Sequence, residues 1–409
     1  MIERHDTVIV GGGQAALAMS YCLQQRNVEH LVLERKRLAE RWRSERWDSL
    51  AFQMPNWSLQ LPGMGYEGSD PDGFATHGEI LAFIERYAER IKPPLREATE
   101  VTCLRAAEDR GYEVETPDGL IRADRVVIAT GPFHAVAVPE FAASLPGSVY
   151  QIGAAHYKSP EALPAGSVVV VGSGSSGTQI ADELLRAGRR VFLSVGKHRY
   201  APRRYRGRDV IWWYEKLGRF DVPIDAFPGR RYPPPTVMTG VDGGYDLFPR
   251  KLEREGCVLV GRIEGAANGW LVLGNDVDSV LQNADASCAE FIAAADALGD
   301  EIGLPPRSGE DAGLPPPSCA VSEPMWSINL KAENVTSVIW ASGYACDYSW
   351  LKVPVLDERG SPVQSRGITA CSGIYFLGLH WMHTFRSGLL SYVGGDAAHV
   401  AEHMCERSR

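Results

Sequence analysis

The sequence contains eight cysteines, but it has no C-x-x-C pair and no cysteine–histidine spacing typical of a metal site. Scattered cysteines of this kind predict reduced, mostly buried thiols in a cytosolic protein. A redox-active cysteine pair is therefore excluded, and no metal is expected. The eight are Cys22, Cys103, Cys257, Cys288, Cys319, Cys346, Cys371 and Cys405.

The chain also lacks a basic surplus and a long apolar run. Its net charge is −9, which gives no reason to expect nucleic acid or an anionic membrane as a partner. Residues 1–6 are polar and lack the layout of a signal peptide. The apolar stretch 8–23 is too short to cross a membrane and contains three glycines and a glutamine. We expect a cytoplasmic protein without a membrane span.

Length and composition indicate a globular protein of several domains. With 409 residues, 44% of them hydrophobic and 23% charged, the chain is long enough for two or three domains. A core of that size has room for a buried cofactor.

Two glycine-rich turns, 161 positions apart, are the most informative feature that is present. The first is Gly11-Gly12-Gly13-Gln14-Ala15-Ala16, and the second is Gly172-Ser173-Gly174-Ser175-Ser176-Gly177. Each follows an apolar strand-like run and precedes a helix-like one, the context in which such a turn binds a dinucleotide. Two such turns predict two dinucleotides, and hence electron transfer between them.

The hydrophobic pattern around the turns predicts two βαβ units. The first comprises strand 5–10, helix 14–25 and strand 28–33, and the second comprises strand 168–171, helix 178–187 and strand 190–195. Further predicted strands are 101–104, 112–115, 120–123, 126–129, 257–260, 269–273, 335–340 and 374–377. Further predicted helices are 79–90, 284–298 and 391–404. Residues 42–75 are rich in tryptophan, proline and glycine and predict loops.

We interpret the second βαβ unit as an insertion into the first domain. The predicted fold is α/β with two Rossmann-like dinucleotide-binding domains, in a glutathione-reductase-like two-dinucleotide architecture. One domain, discontinuous, comprises residues 1–160 and 325–409 and contains the first glycine turn. The other, residues 161–324, contains the second glycine turn and carries substrate-lid loops at 205–250 and 303–325. The residues around each turn assign FAD to the first domain and NADPH to the second.

The first turn has an acidic partner. Gly11 permits the bend, Gly13 lets the backbone approach a pyrophosphate at the helix N-terminus, and Ala16 allows close packing of helix and strand. Glu34 ends the second strand 23 residues after Gly11. A carboxylate there accepts hydrogen bonds from an adenosine ribose and repels a 2′-phosphate. FAD or NAD therefore fits this turn.

The second turn has basic partners instead. Position 194 is a serine, and basic residues follow directly, among them Lys197, Arg199, Arg203 and Arg204. A hydroxyl with arginines suits a 2′-phosphate, so NADPH is favoured over NADH. A solvated basic loop is the alternative. A flavin reduced by NADPH can pass its electrons on in several ways.

At this point the chain resembles the class B flavoprotein monooxygenases, which include the flavin-containing and Baeyer–Villiger monooxygenases. The resemblance covers nearly the whole chain and is strongest to a bacterial branch of flavoproteins. It is based on both glycine turns, Glu34, and the segments 129–131, 178–184, 203–209, 341–344 and 375–379.

The resemblance implies FAD and NADPH as cofactors and small-molecule substrate and O2 as reactants. Reduced flavin would form a C4a-(hydro)peroxide that the protein shields from water. The residues predicted to bind the cofactors are Gly11, Gly13, Gln14, Ala15, Ala16, Glu34, Arg35, Arg41, Trp42, Val101, Ala129, Thr130, Gly131, Gly172, Gly174, Ser175, Ser176, Gly177, Ser194, Arg199, Arg203, Arg204, Ser342, Gly343, Gly378 and Leu379.

The chain departs from these enzymes at the motif F-x-G-x-x-x-H-x-x-x-[YW]. Alignment of Tyr157 with the end of the motif puts Gly153 where histidine is expected, with His156 three positions on. This loop should steer the nicotinamide in the family. His156 is thus a candidate replacement, and an ordinary loop histidine is the alternative.

Four further residues are candidates for the chemistry. Gln53 and Asn56 lie where the resemblance places contacts with the flavin edge, and either amide could hydrogen-bond the oxygenated flavin. Capping of the loop without a catalytic role is the alternative. His383 and Arg386 follow the last strand, near the expected flavin ring, where packing without acid–base work is the alternative.

The sequence therefore predicts an FAD-dependent, NADPH-consuming monooxygenase that oxygenates a small organic molecule by N- or S-oxygenation, hydroxylation or Baeyer–Villiger reaction. The alternatives are an NADPH:acceptor oxidoreductase or NADPH oxidase, and a non-catalytic redox-sensing flavoprotein. A homodimer is an ordinary expectation.

Overall fold

The computed structural model describes residues 2–230, 232–307, 321 and 324–406. Within them the strands, in chain order, are β1 (Glu3–Val10), β2 (His30–Leu33), β3 (Gln60–Leu61), β4 (Met64–Gly65), β5 (Leu95–Arg96), β6 (Cys103–Ala106), β7 (Tyr112–Thr116), β8 (Gly119–Ile128), β9 (Ala135–Val136), β10 (Tyr150–Gly153), β11 (Ser167–Val171), β12 (Val191–Ser194), β13 (Arg199–Tyr200), β14 (Arg204–Tyr205), β15 (Arg208–Asp209), β16 (Thr236–Val237), β17 (Val258–Val260), β18 (Ile263–Ala267), β19 (Trp270–Leu273), β20 (Ser327–Asn329), β21 (Val335–Trp340), β22 (Tyr344–Ala345) and β23 (Ile374–Phe376).

The α-helices of the described residues are α1 (Gln14–Gln24), α2 (Glu40–Ser44), α3 (His77–Ile91), α4 (Ser175–Arg186), α5 (Val210–Lys216), α6 (Pro249–Arg254), α7 (Val277–Glu301) and α8 (Val393–Glu406). Local chemistry explains where α3 begins. Thr76 and Glu79 form a capping box, in which the Thr76 hydroxyl accepts from the Glu79 N–H at 3.2 Å. None of the helices among the described residues is long and apolar enough to cross a membrane.

The first sheet has seven strands in the order β5-β2-β1-β8-β7-β6, with β23 paired to β8. β1 pairs in parallel with β2 and β8, and the second half of β8 pairs in parallel with β23. The last residues of these strands, Val10, Leu33, Ile128 and Phe376, are in register. The segments that follow these four strands therefore lie together at the carboxyl edge of the sheet. All four lie in the hydrophobic core of this sheet.

The second sheet has five parallel strands in the order β10-β21-β11-β12-β17. Trp340, at the end of β21, is in register with Val171 on one side and with Gly153 on the other. The second glycine turn, which follows Val171, thus lies at the same edge as residues 341–343 and 154–156.

The strand pairing assigns two strands to a different domain than the predicted domain boundaries do. β10 and β21 pair in the second sheet, although the boundaries 160/161 and 324/325 assign both to the FAD-binding domain. The reason is that β21 lies next to β11, so it completes the second parallel sheet. We therefore propose boundaries near residues 137 and 343, where the chain crosses between the sheets.

The two crossings are paired with each other. β9, on the outward crossing, pairs antiparallel with β22, on the return, so that Val136 faces Tyr344. The Ala137 N–H also donates to the Gly343 carbonyl at 2.9 Å. His134 adds a contact, because its ring lies 3.0 Å from the Asp347 carbonyl and 2.8 Å from the Gly131 carbonyl. We call the segment that carries β9 the first linker and the segment that carries β22 the second linker. Their pairing holds the two linkers together as one two-stranded connection.

Several predicted elements differ from the structure at their ends. The predicted strands 120–123 and 126–129 form one strand, β8, which passes from the antiparallel half of the sheet into the parallel half. α7 is longer than the predicted helix 284–298. β10 was not predicted. Residues 308–320 and 322–323 of the predicted lid loop at 303–325 lie outside the described residues.

A histidine at the other end of β1 predicts pH-dependent stability. The His5 ring lies 2.6 Å from Glu29 and 2.8 Å from Glu3, and Arg96 pairs with Glu3 at 2.6 Å. Burial lowers the pKa of His5, but the hydrogen bonds to Glu29 and Glu3 outweigh it, so the pKa is raised. Arg96 and His5 lower the pKa of Glu3 to about 2.

Because the pKa of His5 is higher folded than unfolded, its stabilisation is fully present below about pH 6.5 and is lost as the pH rises through the folded value. We expect H5Q to lower the thermal midpoint more at pH 6 than at pH 9. After allowance for solvent screening the difference is below about 1 kcal/mol. Circular dichroism melts measure it, with H156Q as the control. An equal loss at both pH values would contradict this assignment.

Candidate active site

The first glycine turn is tightly built. Gly11 has φ +116°, and a Cβ there would lie 2.6 Å from the Ala129 carbonyl oxygen, so only glycine fits beside the end of β8. The Gly12 N–H donates to Glu34 Oε2 at 2.6 Å, and the Lys36 N–H donates to Glu34 Oε1 at 2.9 Å. The carboxylate is thereby fixed at the carboxyl edge of the first sheet.

The N-terminus of α1 at this turn is open. Gly13 is its N-cap, makes no side-chain cap hydrogen bond, and a Cβ on it would meet nothing within 4 Å. Helix N-terminal N–H groups without a protein acceptor suit a pyrophosphate. Ala15 contacts the end of the last strand closely, since a Cβ on Gly378 would lie 2.7 Å from Ala15 Cβ. The residues present fit the FAD that the sequence predicts here.

The remaining residues predicted for this cofactor lie around the turn or behind it. Ala16 is buried in the core with Val101 and Leu379, whereas Arg35 is exposed. Arg41 pairs with Glu45 at 2.6 Å, and the half-buried Trp42 packs edge-on to Phe52. Gln14 opens α1. Thr130 and Gly131 lead into the first linker, where the Thr130 hydroxyl lies 3.2 Å from His134.

The second turn repeats this construction on the second sheet. Gly172 has φ +106°, and a Cβ there would lie 2.5 Å from the Ala341 carbonyl oxygen. A Cβ on Gly177 would lie 1.8 Å from the Gly172 carbonyl oxygen. Gly174 is the N-cap of α4, without a side-chain cap bond and with open space around it. Ser175 and Ser176 form the first turn of α4, so this N-terminus also fits a pyrophosphate.

Two residues predicted to bind the 2′-phosphate, Ser194 and Arg203, are buried and bonded to other protein groups. Ser194 is buried, and its hydroxyl donates to the Gly261 carbonyl at 3.0 Å. Arg203 is 2% exposed and pairs with Asp209 at 2.9 Å. It also donates to the Gln53 carbonyl at 2.8 Å. Both placements contradict the predicted role, because a side chain sealed in protein cannot reach a cofactor phosphate.

The neighbouring basic residues differ among themselves. Arg204 is exposed and donates to the Gly243 carbonyl at 3.1 Å. Lys197 is exposed and Arg199 is half-buried, and neither side chain pairs with any residue in the described part of the chain. Lys197 and Arg199 follow the end of β12 by three and five residues. Because neither side chain is paired with a described residue, both can contact a 2′-phosphate. Ser342 and Gly343 are exposed at the same carboxyl edge.

Position 153 is crowded. A Cβ there would lie 2.8 Å from Val136 Cγ2 on the first linker, so a larger side chain requires the Val136 side chain to shift. His156 lies just past β10 at the carboxyl edge of the second sheet. It is exposed, and its ring has no hydrogen bond to a described residue. Its placement suits contact with the second dinucleotide.

Gln53 and Asn56 are not equivalent. Asn56 is buried, and its amide donates to the Asp70 carbonyl at 3.0 Å, which favours the alternative of loop capping. Gln53 is half-buried, with its backbone carbonyl held by Arg203 and its side-chain amide unbonded among the described residues. Of the two predicted amides, only that of Gln53 makes no side-chain hydrogen bond to a described residue.

An aromatic cover closes over the segment after the last strand. We define it as Phe220, Phe227 and Tyr232 of the insertion with Trp381 and Phe385 of the C-terminal segment. Tyr232 stacks on Trp381 with ring centroids 4.9 Å apart, and Phe220 stacks on Phe385 at 5.6 Å. The Ile224 N–H donates to the His383 carbonyl at 2.8 Å. The insertion is therefore docked on the first domain.

His383 and Arg386 both belong to this contact. Arg386 pairs with Asp221 at 2.7 Å and lies over the Tyr392 ring, which favours packing rather than acid–base work. The imidazole of His383 is half-buried and has no hydrogen bond to a described residue. His380, just before the cover, is an exposed residue whose ring is surrounded by protein, and burial lowers its pKa, so it is neutral at pH 7.

Phe133 and Tyr344 were not among the predicted site residues, although Tyr344 belongs to the segment 341–344 and His380 lies next to the predicted His383. Phe133 meets Tyr344 edge-on at 4.9 Å and His380 at 5.0 Å, so the first linker, the second linker and the C-terminal segment share one aromatic contact. Tyr344 directly follows the predicted Ser342 and Gly343, and this adjacency is the signal that could have identified it.

The described cysteines are free thiols, and no group of described residues has the composition of a metal site. Cys319 lies outside the described residues.

One dinucleotide turn lies in the parallel half of the mixed first sheet and the other on the parallel second sheet, and paired linkers join the two sheets. This arrangement defines a two-dinucleotide oxidoreductase fold. The family described as pyridine nucleotide-disulphide oxidoreductase matches residues 8–210. An uncharacterized oxidoreductase, CzcO-like, from Geobacillus kaustophilus is 35% identical over 398 residues, 97% of this chain and 97% of the relative. The chain belongs to the family of this CzcO-like oxidoreductase.

Solved structures confirm the predicted fold class. A flavin monooxygenase mutant from Stenotrophomonas maltophilia superposes with a TM-score of 0.69 at 18% identity, and all of both chains is covered. OTEMO in complex with FAD and NADP superposes with a TM-score of 0.57 at 16% identity, over 100% of this chain and 86% of that chain. The predicted resemblance to flavin monooxygenases and the predicted enzyme class, an oxidoreductase, are confirmed.

Proposed function

We propose that the protein is a monooxygenase that uses FAD and NADPH to oxygenate a small organic molecule with O2. The observation that carries the proposal is the pair of open glycine turns, one beside the carboxylate of Glu34 and one beside the unpaired Lys197 and Arg199. An acidic first site fits FAD, and a basic second site fits NADPH. When bound, FAD accepts a hydride from NADPH and passes electrons to O2.

The residues of the chain bind, orient and exclude water in this proposal. The helix N-termini of α1 and α4 hold the two pyrophosphates, and Glu34 holds the FAD ribose. The aromatic cover would exclude water from the substrate, which we place beside His380 and Phe133, next to the cover. The amide of Gln53 is the group available to hydrogen-bond the reacting edge of the flavin. His383 and His156 remain candidates on the two sides of the cleft.

The cover also limits the substrate class. Its aromatic rings favour a small apolar or aromatic molecule as the substrate, and the chemistry of that molecule would set the type of oxygenation. A cytoplasmic location and a homodimer stay predictions from the sequence.

An NADPH:acceptor oxidoreductase or NADPH oxidase is the second candidate. Gly153 in the place of the motif histidine favours it, since the steering group of the monooxygenases is absent there. A non-catalytic redox sensor is a third possibility, but it would have no need for an open second turn.

One experiment separates the three. The FAD-loaded protein is reduced by NADPH without oxygen, mixed rapidly with O2, and followed by flavin absorbance. A long-lived species before the oxidised spectrum returns supports the monooxygenase. Immediate reoxidation with stoichiometric hydrogen peroxide supports the oxidase, and failure of NADPH to reduce the flavin would overturn both enzyme functions.

A further inference from the structure

Arg46 is a cation without an ion-pair partner among the described residues. It lies where the first domain contacts the loop after β10, a region that we call the cleft between the two sheets. Arg46 follows α2, and its guanidinium lies over the Trp42 ring at 4.7 Å. It donates one hydrogen bond, to the Glu45 carbonyl at 2.8 Å. The Glu45 carboxylate is taken by Arg41 at 2.6 Å. Among residues 2–230, 232–307, 321 and 324–406, no carboxylate forms an ion pair with Arg46.

The backbone of Arg46 is held from the second domain. Lys158, five residues past the end of β10, donates from Nζ to the carbonyls of Ser44 and Arg46, each at 2.7 Å. The Asp48 N–H donates back to the Lys158 carbonyl at 3.0 Å. Arg46 is thus a residue of the first domain that is positioned by a loop at the carboxyl edge of the second sheet.

Arg46 lies near the second linker. Tyr344, next to Ser342 and Gly343, is close enough to interact electrostatically with both Arg46 and Arg41. Burial lowers the pKa of Arg46, yet the side chain is only half-buried, so it is surrounded by protein and still open to the cleft. The nearby carboxylate that acts on Arg46 is that of Glu45, which already pairs with Arg41. Removing a second guanidinium from water without an ion pair of its own is costly, and an anionic ligand would offset that cost.

We propose that Arg46 binds a phosphate oxygen of the NADPH pyrophosphate and so positions the nicotinamide end between the two sheets. This inference rests on the proposed function. The FAD pyrophosphate is the less suitable partner, because Arg41, not Arg46, has Glu34 and Arg35 among its electrostatic neighbours. A substrate anion is also less suitable, since the aromatic cover contacts other residues and not Arg46.

The test compares R46Q with the wild type and with R43Q. Arg43 lies on α2, bonds to the Leu38 carbonyl and pairs with Glu85, so R43Q removes an arginine close by in the chain without touching the cleft. Binding of NADP+ and of NAD+ to the FAD-loaded proteins is measured by calorimetry. FAD content is measured in parallel, as is anaerobic flavin reduction by NADPH.

We expect R46Q to weaken NADP+ and NAD+ by the same factor, about 10- to 100-fold, because a charge-assisted hydrogen bond contributes about 1.5–3 kcal/mol. FAD content should be unchanged. R199Q, by contrast, should weaken NADP+ alone, since only NADP+ has the 2′-phosphate. The apparent Kd for NADPH in flavin reduction should rise in parallel with that for NADP+.

Three results would overturn the inference: unchanged binding of both nucleotides in R46Q, weakened NADP+ with unchanged NAD+, or loss of FAD from R46Q alone. A fourth result concerns the proposed function instead. If the wild type binds NADP+ but NADPH does not reduce its flavin, the proposed function fails, while the calorimetric comparison still decides the role of Arg46.

Discussion

Replacing Gly177 with alanine will raise the NADPH concentration needed to reduce the flavin about 10- to 100-fold and leave FAD bound. The added Cβ would lie 1.8 Å from the Gly172 carbonyl oxygen, which is backbone and cannot rotate away. α4 must then shift away from β11, so its N-terminal N–H groups no longer point towards the pyrophosphate. Overpacking costs about 1–3 kcal/mol, so NADPH should bind about 10- to 100-fold more weakly.

Anaerobic stopped-flow reduction measures the effect, with G147A as the matched control. A Cβ on Gly147 meets nothing within 4 Å, and its φ lies outside the left-handed region, so G147A should behave as the wild type. Dithionite should still reduce the flavin of G177A, because the first turn is on the other sheet. Wild-type kinetics with NADPH in G177A would rule out the second turn as the NADPH site.

Replacing Gly11 with alanine should yield protein that is purified largely without flavin. Gly11 combines φ +116° with a Cβ position 2.6 Å from the Ala129 carbonyl oxygen. A side chain in such a conformation costs about 1–3 kcal/mol, and the clash with β8 adds to it. The turn can relieve both only by moving away from β8, which disturbs the Gly12–Glu34 hydrogen bond on its other side and shifts the N-terminus of α1. FAD affinity should fall more than about tenfold.

The ratio of flavin to protein absorbance measures this loss, and circular dichroism shows whether the chain is folded. G65A is the control, since a Cβ on Gly65 meets nothing within 4 Å. NADP+ binding by calorimetry should survive in G11A, because the second turn is intact. A folded G11A with full FAD content would exclude the first turn as the FAD site.

The turns and their βαβ units could be predicted from the sequence because the interactions that form them involve residues close together in the chain. A buried strand, a glycine that alone fits a left-handed bend and a helix of small residues are all contiguous in the chain. Glu34 was predictable for the same reason, since its distance from Gly11 is set by one helix and one strand. The observed hydrogen bond from Gly12 to Glu34 agrees with that local geometry.

The residues that were mispredicted depend on non-local packing. Ser194 is on the strand that the count from Gly172 selects, but its hydroxyl points to Gly261 beyond β17. Arg203 lies in a basic stretch, yet the fold brings Asp209 and the Gln53 carbonyl to it and seals it. Arg46 was missed because its significance depends on Lys158, 112 residues away. A single sequence does not display such contacts.

The order in which the first sheet can be completed follows from the pairing of β8 with β23. Val126 and Ile374 are neighbours in the sheet but are separated by about 250 residues of chain, which makes this a slow, high-contact-order pairing. During synthesis at about 5–20 residues per second, the edge of β8 stays unpaired for roughly 12–50 s. The second sheet has all its strands earlier, once β21 has emerged. We expect the inserted domain to fold first, and nascent chains that end before residue 374 to be prone to aggregation through the open edge.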